Sequence, residues 1–209
     1  RSFTNSSGKQ ITAELLRVEG EGAVLSVKGR EFTVPIASLS ETDQTFITNW
    51  QREKEAAAAE AKAAMAEQLK LVGTIKEEMV ILNRRDLEAY QIASPENIEI
   101  LAFYTSASDC PLCQAFTPTL SREYKSLKRR YPNFELVMVP ADDTAAAWET
   151  YVKDQRMTFP SLKFGSKARG AASRGRGGPG IPSIHIKKAD GTLLHDGADG
   201  ANASLEKLE

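Results

Sequence analysis

Between residues 11 and 36 the apolar positions come in short runs parted by glycine turns. The runs are 11–18, 23–27 and 31–36, and the breaks are Glu19-Gly20-Glu21-Gly22 and Lys28-Gly29-Arg30. In AVLSV (23–27) and FTVPI (32–36) apolar side chains recur at alternate positions, the period of a half-buried strand. Residues 1–48 therefore predict a small all-β module, which at about 45 residues buries little surface by itself. From Ser40 the pattern turns helical, with Ser40 as N-cap and Glu41 and Asp43 in a first turn that favours negative charge. The run REKEAAAAEAKAAMAEQLK (52–70) contains strong helix formers and neither Gly nor Pro, so 49–71 reads as a helical linker. About 25 helical residues would reach roughly 37 Å, enough for a spacer between two domains. The alternative is that Phe46, Met65 and Leu69 dock this helix onto a neighbour.

Residues 72–209 alternate strand and helix. Strands are expected at 79–82, 98–104 and 134–139, with helices from the cysteines to about residue 131 and over 144–154. A hairpin, 183–187 with 192–195, turns at Ala189-Asp190-Gly191. Such alternation predicts an α/β domain with at least one parallel βαβ unit.

Composition narrows the function. A chain of 209 residues, 41% apolar and 26% charged, has a globular balance and room for one large core or two smaller ones. A net charge of −1 gives no global basic excess for nucleic acid and no acidic tail. No apolar run is long enough for a transmembrane segment. The first residue is Arg1 rather than Met, which suggests a trimmed mature form and favours an extracytoplasmic, periplasmic or secreted, location.

Both cysteines, Cys110 and Cys113, lie in TSASDCPLCQAFTP (105–118). A cysteine that ends a buried strand and starts a helix meets free N–H groups and the helix dipole, which favour thiolate. Cys110 has that place. Cys113, about one turn further on, is near enough to attack a mixed disulfide formed at Cys110. Pro111 suits a first helical turn and stiffens the link between the sulfurs, while Pro118 is expected to kink the helix. Two other readings stand beside the redox pair: half of a metal site, or two incidental buried side chains. A structural zinc site needs four ligands, and the other soft candidates, His185 and His195, are far away in sequence, so no metal or other cofactor is assigned. The two histidines read as structural or exposed. A second element, GIPS (180–183), opens a strand with proline, a place where a cis bond can occur.

The segments 104–143 and 180–191 (GIPSIHIKKADG) together resemble the thioredoxin fold, most closely its nucleoredoxin/tryparedoxin branch, over about 72–200. That resemblance implies that Pro182 is the cis-proline facing the cysteines, that Ile181 lends its backbone to an extended substrate segment, and that Pro118 is the family's kink. Three positions depart from the pattern. Asp109 replaces the usual Trp, and its charge should disfavour thiolate at Cys110. Tyr104 stands where many members bury a carboxylate. Pro111-Leu112 replaces Pro-Pro.

The N-terminal run 1–47 resembles the first homology domain of the endocytic adaptor Sla, a small SH3-like barrel, through Arg1, Phe3-Thr4 in place of Trp-Thr, Gly8-Lys9, and VPIASLSETDQ (34–44). The likeness implies an SH3-like module and a peptide or envelope partner, a spacer or stability role being the alternative. A further stretch, 155–189, lacks acidic residues but carries Arg156, Lys163, Lys167, Arg169, Arg174, Arg176, Lys187 and Lys188, partly within the Gly-rich GSKARGAASRGRGGPG (165–180). It reads as a solvated loop or as a means of steering an acidic partner. The expected protein is thus a thiol–disulfide oxidoreductase acting on protein disulfides and recycled by a separate reductase or oxidase. The rival is a non-catalytic interaction module on the same scaffold, for which the Trp and carboxylate replacements speak.

Overall fold

A computed structural model describes residues 1–207, and the chain divides into two compact units, Arg1–Ala64 and Met65–Glu209. In the first, β1 (Ser2–Thr4) pairs antiparallel with β2 (Gln10–Thr12). The strands β3 (Glu14–Glu19), β4 (Gly22–Val27) and β5 (Arg30–Pro35) form an antiparallel meander. The one strand expected over 11–18 is therefore two, parted at buried Ala13, whose N–H reaches the Arg1 carbonyl at 2.9 Å. Phe3, Leu15, Ala23, Leu25, Leu39 and Ile47 make the core. The alternation expected in β5 fails at Phe32, which is 51% exposed, because β5 is an edge strand paired only with β4.

Helix α1 (Glu41–Gln68) starts as its sequence dictates: the Asp43 amide reaches Ser40 Oγ, and Asp43 takes the Thr4 amide and the Arg1 guanidinium, each at 2.7 Å. Burial pushes the Asp43 carboxyl up, but these partners together hold it below the usual range. Phe46 and Trp50 pack on the first unit's core, and residues 51–68 are exposed throughout. Met65 does not dock; it is 49% exposed.

The second unit begins with α2 (Lys70–Ile75), which buries Leu71, Val72 and Ile75. There follow β6 (Met79–Asn83), β7 (Asp86–Ala89), β8 (Ile100–Ser106), α3 (Pro111–Arg130) and β9 (Phe134–Pro140). Then come α4 (Ala145–Asp154), β10 (Ser161–Leu162), α5 (Arg169–Ser173), β11 (Ser183–Lys188), β12 (Leu193–His195) and α6 (Ala201–Glu206). Among the described residues the strands form one seven-stranded sheet, in the order β12-β11-β8-β9-β10-β6-β7. The pairs β8/β9 and β9/β10 are parallel and the others antiparallel, with α3 as the β8-to-β9 crossover. Strands β8 and β9 are buried on both faces: Tyr104, Leu136 and Met138 join one core cluster, and Phe103, Val137 and Val139 the other. Helix α3 runs on through Pro118.

The Gly-rich basic stretch is less loop-like than its composition suggests, since it contains α5. Two side chains of one face of β11 hold that helix. Lys187 Nζ donates to the Ala171 and Ala172 carbonyls at 2.8 and 3.0 Å, and His185 Nε2 also reaches the Ala172 carbonyl. Burial lowers Lys187 to about 8, with Arg174 adding repulsion.

Candidate functional site

Strand β8 delivers the chain to the sheet's C-terminal edge, and a short loop turns it into α3. The Ser108 amide donates to Asp142 Oδ1 at 2.8 Å, and the Gln114 side chain bonds back to the Ser108 carbonyl, so the turn is fixed from both sides. Cys110 is the N-cap of α3 and Pro111 the first helical residue, where no N–H is needed. The Cys110 sulfur accepts the Cys113 amide at 3.2 Å and, as thiol, donates to the Ile181 carbonyl at 3.6 Å. The Ile181–Pro182 peptide bond is cis. Cys110, Cys113, Ile181, Pro182 and Pro111 are thus brought together. Asp109, next in the chain, is exposed.

The two thiols have opposite settings. Cys110 is half-buried, whereas Cys113 has no exposed surface. Burial, reinforced by the Cys110 hydrogen bond, pushes the Cys113 thiol up to about 11, while the Ser106 hydroxyl and the Ala107 backbone pull it down. Beneath Cys113 lies a ring of four hydroxyls that the spacing of residues did not disclose. Tyr104 bonds Thr117 at 2.8 Å, Thr117 bonds Tyr151 at 2.7 Å, Tyr151 bonds Ser106 at 2.9 Å, and Ser106 bonds Tyr104 at 3.1 Å. Thr117 also donates to the Cys113 carbonyl at 2.8 Å. Burial raises both Tyr104 and Tyr151, so these hydroxyls stay protonated. Thr117 was within reach of sequence reasoning, being four residues after Cys113 on the same helix face. Tyr151, on another helix, carried no such signal.

Beside the sulfurs runs a groove of about 560 Å³, lined by Leu112, Phe116, Ile181, Pro182, Arg176 and Ser183 among others. Leu112, between the cysteines, is 70% exposed. The histidines lie elsewhere: His185 is stacked on Phe103, and His195 meets Ser204 and Asp199 at 2.8 and 3.0 Å. Among the described residues no group of three or more His, Cys, Asp or Glu is placed to hold a metal ion, and no helix is long and apolar enough to cross a membrane.

Residues 97–192 match the Thioredoxin-like family. The chain is 29% identical over 118 residues to probable nucleoredoxin 1 of Arabidopsis thaliana, covering 52% of this chain and 20% of that protein. It is 31% identical over 120 residues to human nucleoredoxin-like protein 1, covering 54% and 56%. It thus spans a fifth to about half the length of these relatives. Among solved structures, tryparedoxin II from C. fasciculata superposes with a TM-score of 0.51 at 26% identity, covering 68% of this chain and 88% of that one. Tryparedoxin I from Crithidia fasciculata gives 0.50 at 27%, covering 68% and 91%. The second unit therefore carries a thioredoxin-like domain, similar to those of the nucleoredoxins and tryparedoxins.

Proposed function

We propose that this domain is a thiol–disulfide oxidoreductase acting on protein disulfides through the CPLC pair. The thiolate of Cys110 attacks one sulfur of a substrate disulfide; that S–S bond breaks, a Cys110–substrate disulfide forms, and the other substrate sulfur leaves as thiolate and takes a proton. Cys113 then gives up its proton and attacks the Cys110 sulfur, expelling the second substrate thiolate. Two electrons pass to the substrate, and the Cys110–Cys113 disulfide awaits a dithiol reductant; with an oxidant for recycling, the same steps run in reverse. Ile181 and Pro182 form the wall against which the substrate lies, Pro111 stiffens the first turn, and exposed Asp109 adds a salt-screened negative charge beside the sulfur.

The observation that carries this reading is the asymmetry of the pair: Cys110 faces the groove wall at the helix start, and Cys113 is sealed one turn inside. With Cys113→Ser, mixed disulfides with substrate proteins should accumulate, because no thiol resolves them; with Cys110→Ser, few should form. Mass spectrometry of non-reduced complexes checks this. Equal trapping by both variants would sink the assigned roles, and none by either would favour the interaction module.

For the first unit the reading is an SH3-like barrel that binds a peptide or envelope partner. The ribbon and meander sharing one core support it, as does exposed Phe32 on an edge strand paired on one side only. The exposed stretch 51–68 supports the part of α1 beyond Trp50 as a linker.

A further inference from the structure

We infer that the groove selects acidic substrates: Arg176 receives a carboxylate from the polypeptide whose disulfide meets Cys110. This deepens the proposed function and rests on it. The groove's apolar members, Leu112, Phe116, Ile181 and Pro182, offer contact area but no preference for charge. Arg176 is its cation. It is half-buried, and one edge of the guanidinium is spent on the groove's own rim, where Nη1 donates to the Gly180 carbonyl at 3.0 Å and to Ser183 Oγ at 3.4 Å. Both acceptors flank the cis Ile181–Pro182 peptide, so the cation is fixed beside the residue whose carbonyl touches the Cys110 sulfur. Nε and Nη2 make no ion pair among the described residues and remain for a planar, two-oxygen acceptor.

The segment that carries Arg176 holds further cations, with its helix α5 packed on the sheet face opposite Cys113. Lys167, Arg169 and Arg174 are exposed on the same segment, and none forms an ion pair among the described residues. The clamp of Lys187 and His185 on the Ala171 and Ala172 carbonyls ties α5 to the sheet, so these charges are held rather than trailing. Three carboxylates lie nearby: Asp196, which lies against Gly177 and accepts the Ala198 amide at 3.0 Å, Asp199, which is paired with His195 and Lys207, and exposed Asp109 next to Cys110. Among the groove-lining residues the cation is Arg176, and its free guanidinium edge is what favours an acidic chain there.

The test uses the full chain, reduced with dithiothreitol, and two synthetic peptide disulfides of equal length. In one the half-cystines are flanked by Asp and Glu; in the other, by Asn and Gln. The acidic peptide should be reduced about five- to tenfold faster at low salt, the range of a part-screened charge-assisted contact, and the ratio should fall as salt is raised. Arg176→Gln should bring the ratio close to one, and Arg176→Lys should keep part of it. Because each ratio is taken within one protein, a general loss of activity cancels. Binding of a non-reducible thioether analogue of each peptide, followed by fluorescence anisotropy, separates this proposal from the redox reading. Preference for the acidic analogue without disulfide reduction would uphold the groove's selectivity and remove the enzyme; equal reduction and equal binding of both peptides would overturn the selectivity and leave the enzyme. A ratio unchanged in Arg176→Gln would overturn the role of Arg176.

Discussion

His185 keeps one ring nitrogen on a carbonyl and the other on nothing. Since the Ala172 carbonyl only accepts, Nε2 carries the proton, and Nδ1 is left buried without a partner. Burial lowers this histidine to about 4, and Lys187, Arg176 and His195 repel any added proton. The sign of the pH effect follows. Between about 6.5 and about 4 the unfolded chain takes up a proton that the folded chain refuses, so stability falls as pH drops through that window and the effect is complete below it. Its ceiling is roughly 3 kcal/mol by the conversion of pKa shifts to free energy. His185→Asn should therefore lose less thermal stability than the parent between pH 7 and pH 4.5; equal losses would show that the ring does not set the acid limit. This residue was visible in the sequence only as a histidine on a strand. Its burial depends on α5, which lies in a stretch whose glycines argue against a helix.

At the level of elements, strong local signals read correctly and pairing-dependent ones did not. The α1 cap at Ser40, the βαβ unit around α3 and the β11/β12 hairpin each follow from capping, periodicity or turn residues within a few positions. Strand β7 was missed because DLEA has the residues of a helix or a turn; it is a strand because Val80, Ile81, Leu82 and Asn83 pair with it. Strand β10 has two residues, too few for any periodicity. Helix α6, with its buried Ala201 and Leu205, went unread after a run of Asp and Gly. The candidate site was legible where its parts are sequence neighbours, as with Cys110, Pro111 and Cys113, or where a strand-opening proline marks a position. It was illegible where packing alone unites it, as with Tyr151 and Ser106, 45 residues apart.

For the whole molecule, the core clusters of the second unit draw on residues from Leu69 onward, and that of the first on residues up to Trp50. A fragment spanning Met65–Glu209 should fold and retain the thiol reactivity of Cys110. A fragment starting at Lys76 removes Leu71, Val72 and Ile75 from the core, a loss of several kcal/mol at the usual cost of deleting buried aliphatic side chains, and should not fold stably. Circular dichroism melts and alkylation of the two fragments check both outcomes. A stable fragment from Lys76 would mean that α2 is an accessory to this fold.

Counting protons around the hydroxyl ring shows which group can answer a change of charge at Cys113. Thr117 spends its proton on the Cys113 carbonyl, which leaves its oxygen to accept from Tyr104 and Tyr151; the Tyr104 hydroxyl also reaches the Cys113 carbonyl, at 3.5 Å. That leaves the Ser106 proton shared between two tyrosine oxygens whose own donations do not depend on it. When Cys113 ionises, Ser106 can turn its proton from a tyrosine oxygen to the sulfur while the tyrosine bonds to Thr117 stay in place. Ser106→Ala should lengthen the life of the Cys110 mixed disulfide several-fold near neutral pH, with less effect as the solution approaches the pH where Cys113 ionises unaided. An unchanged lifetime in quenched-flow traces would leave the ring a purely architectural feature.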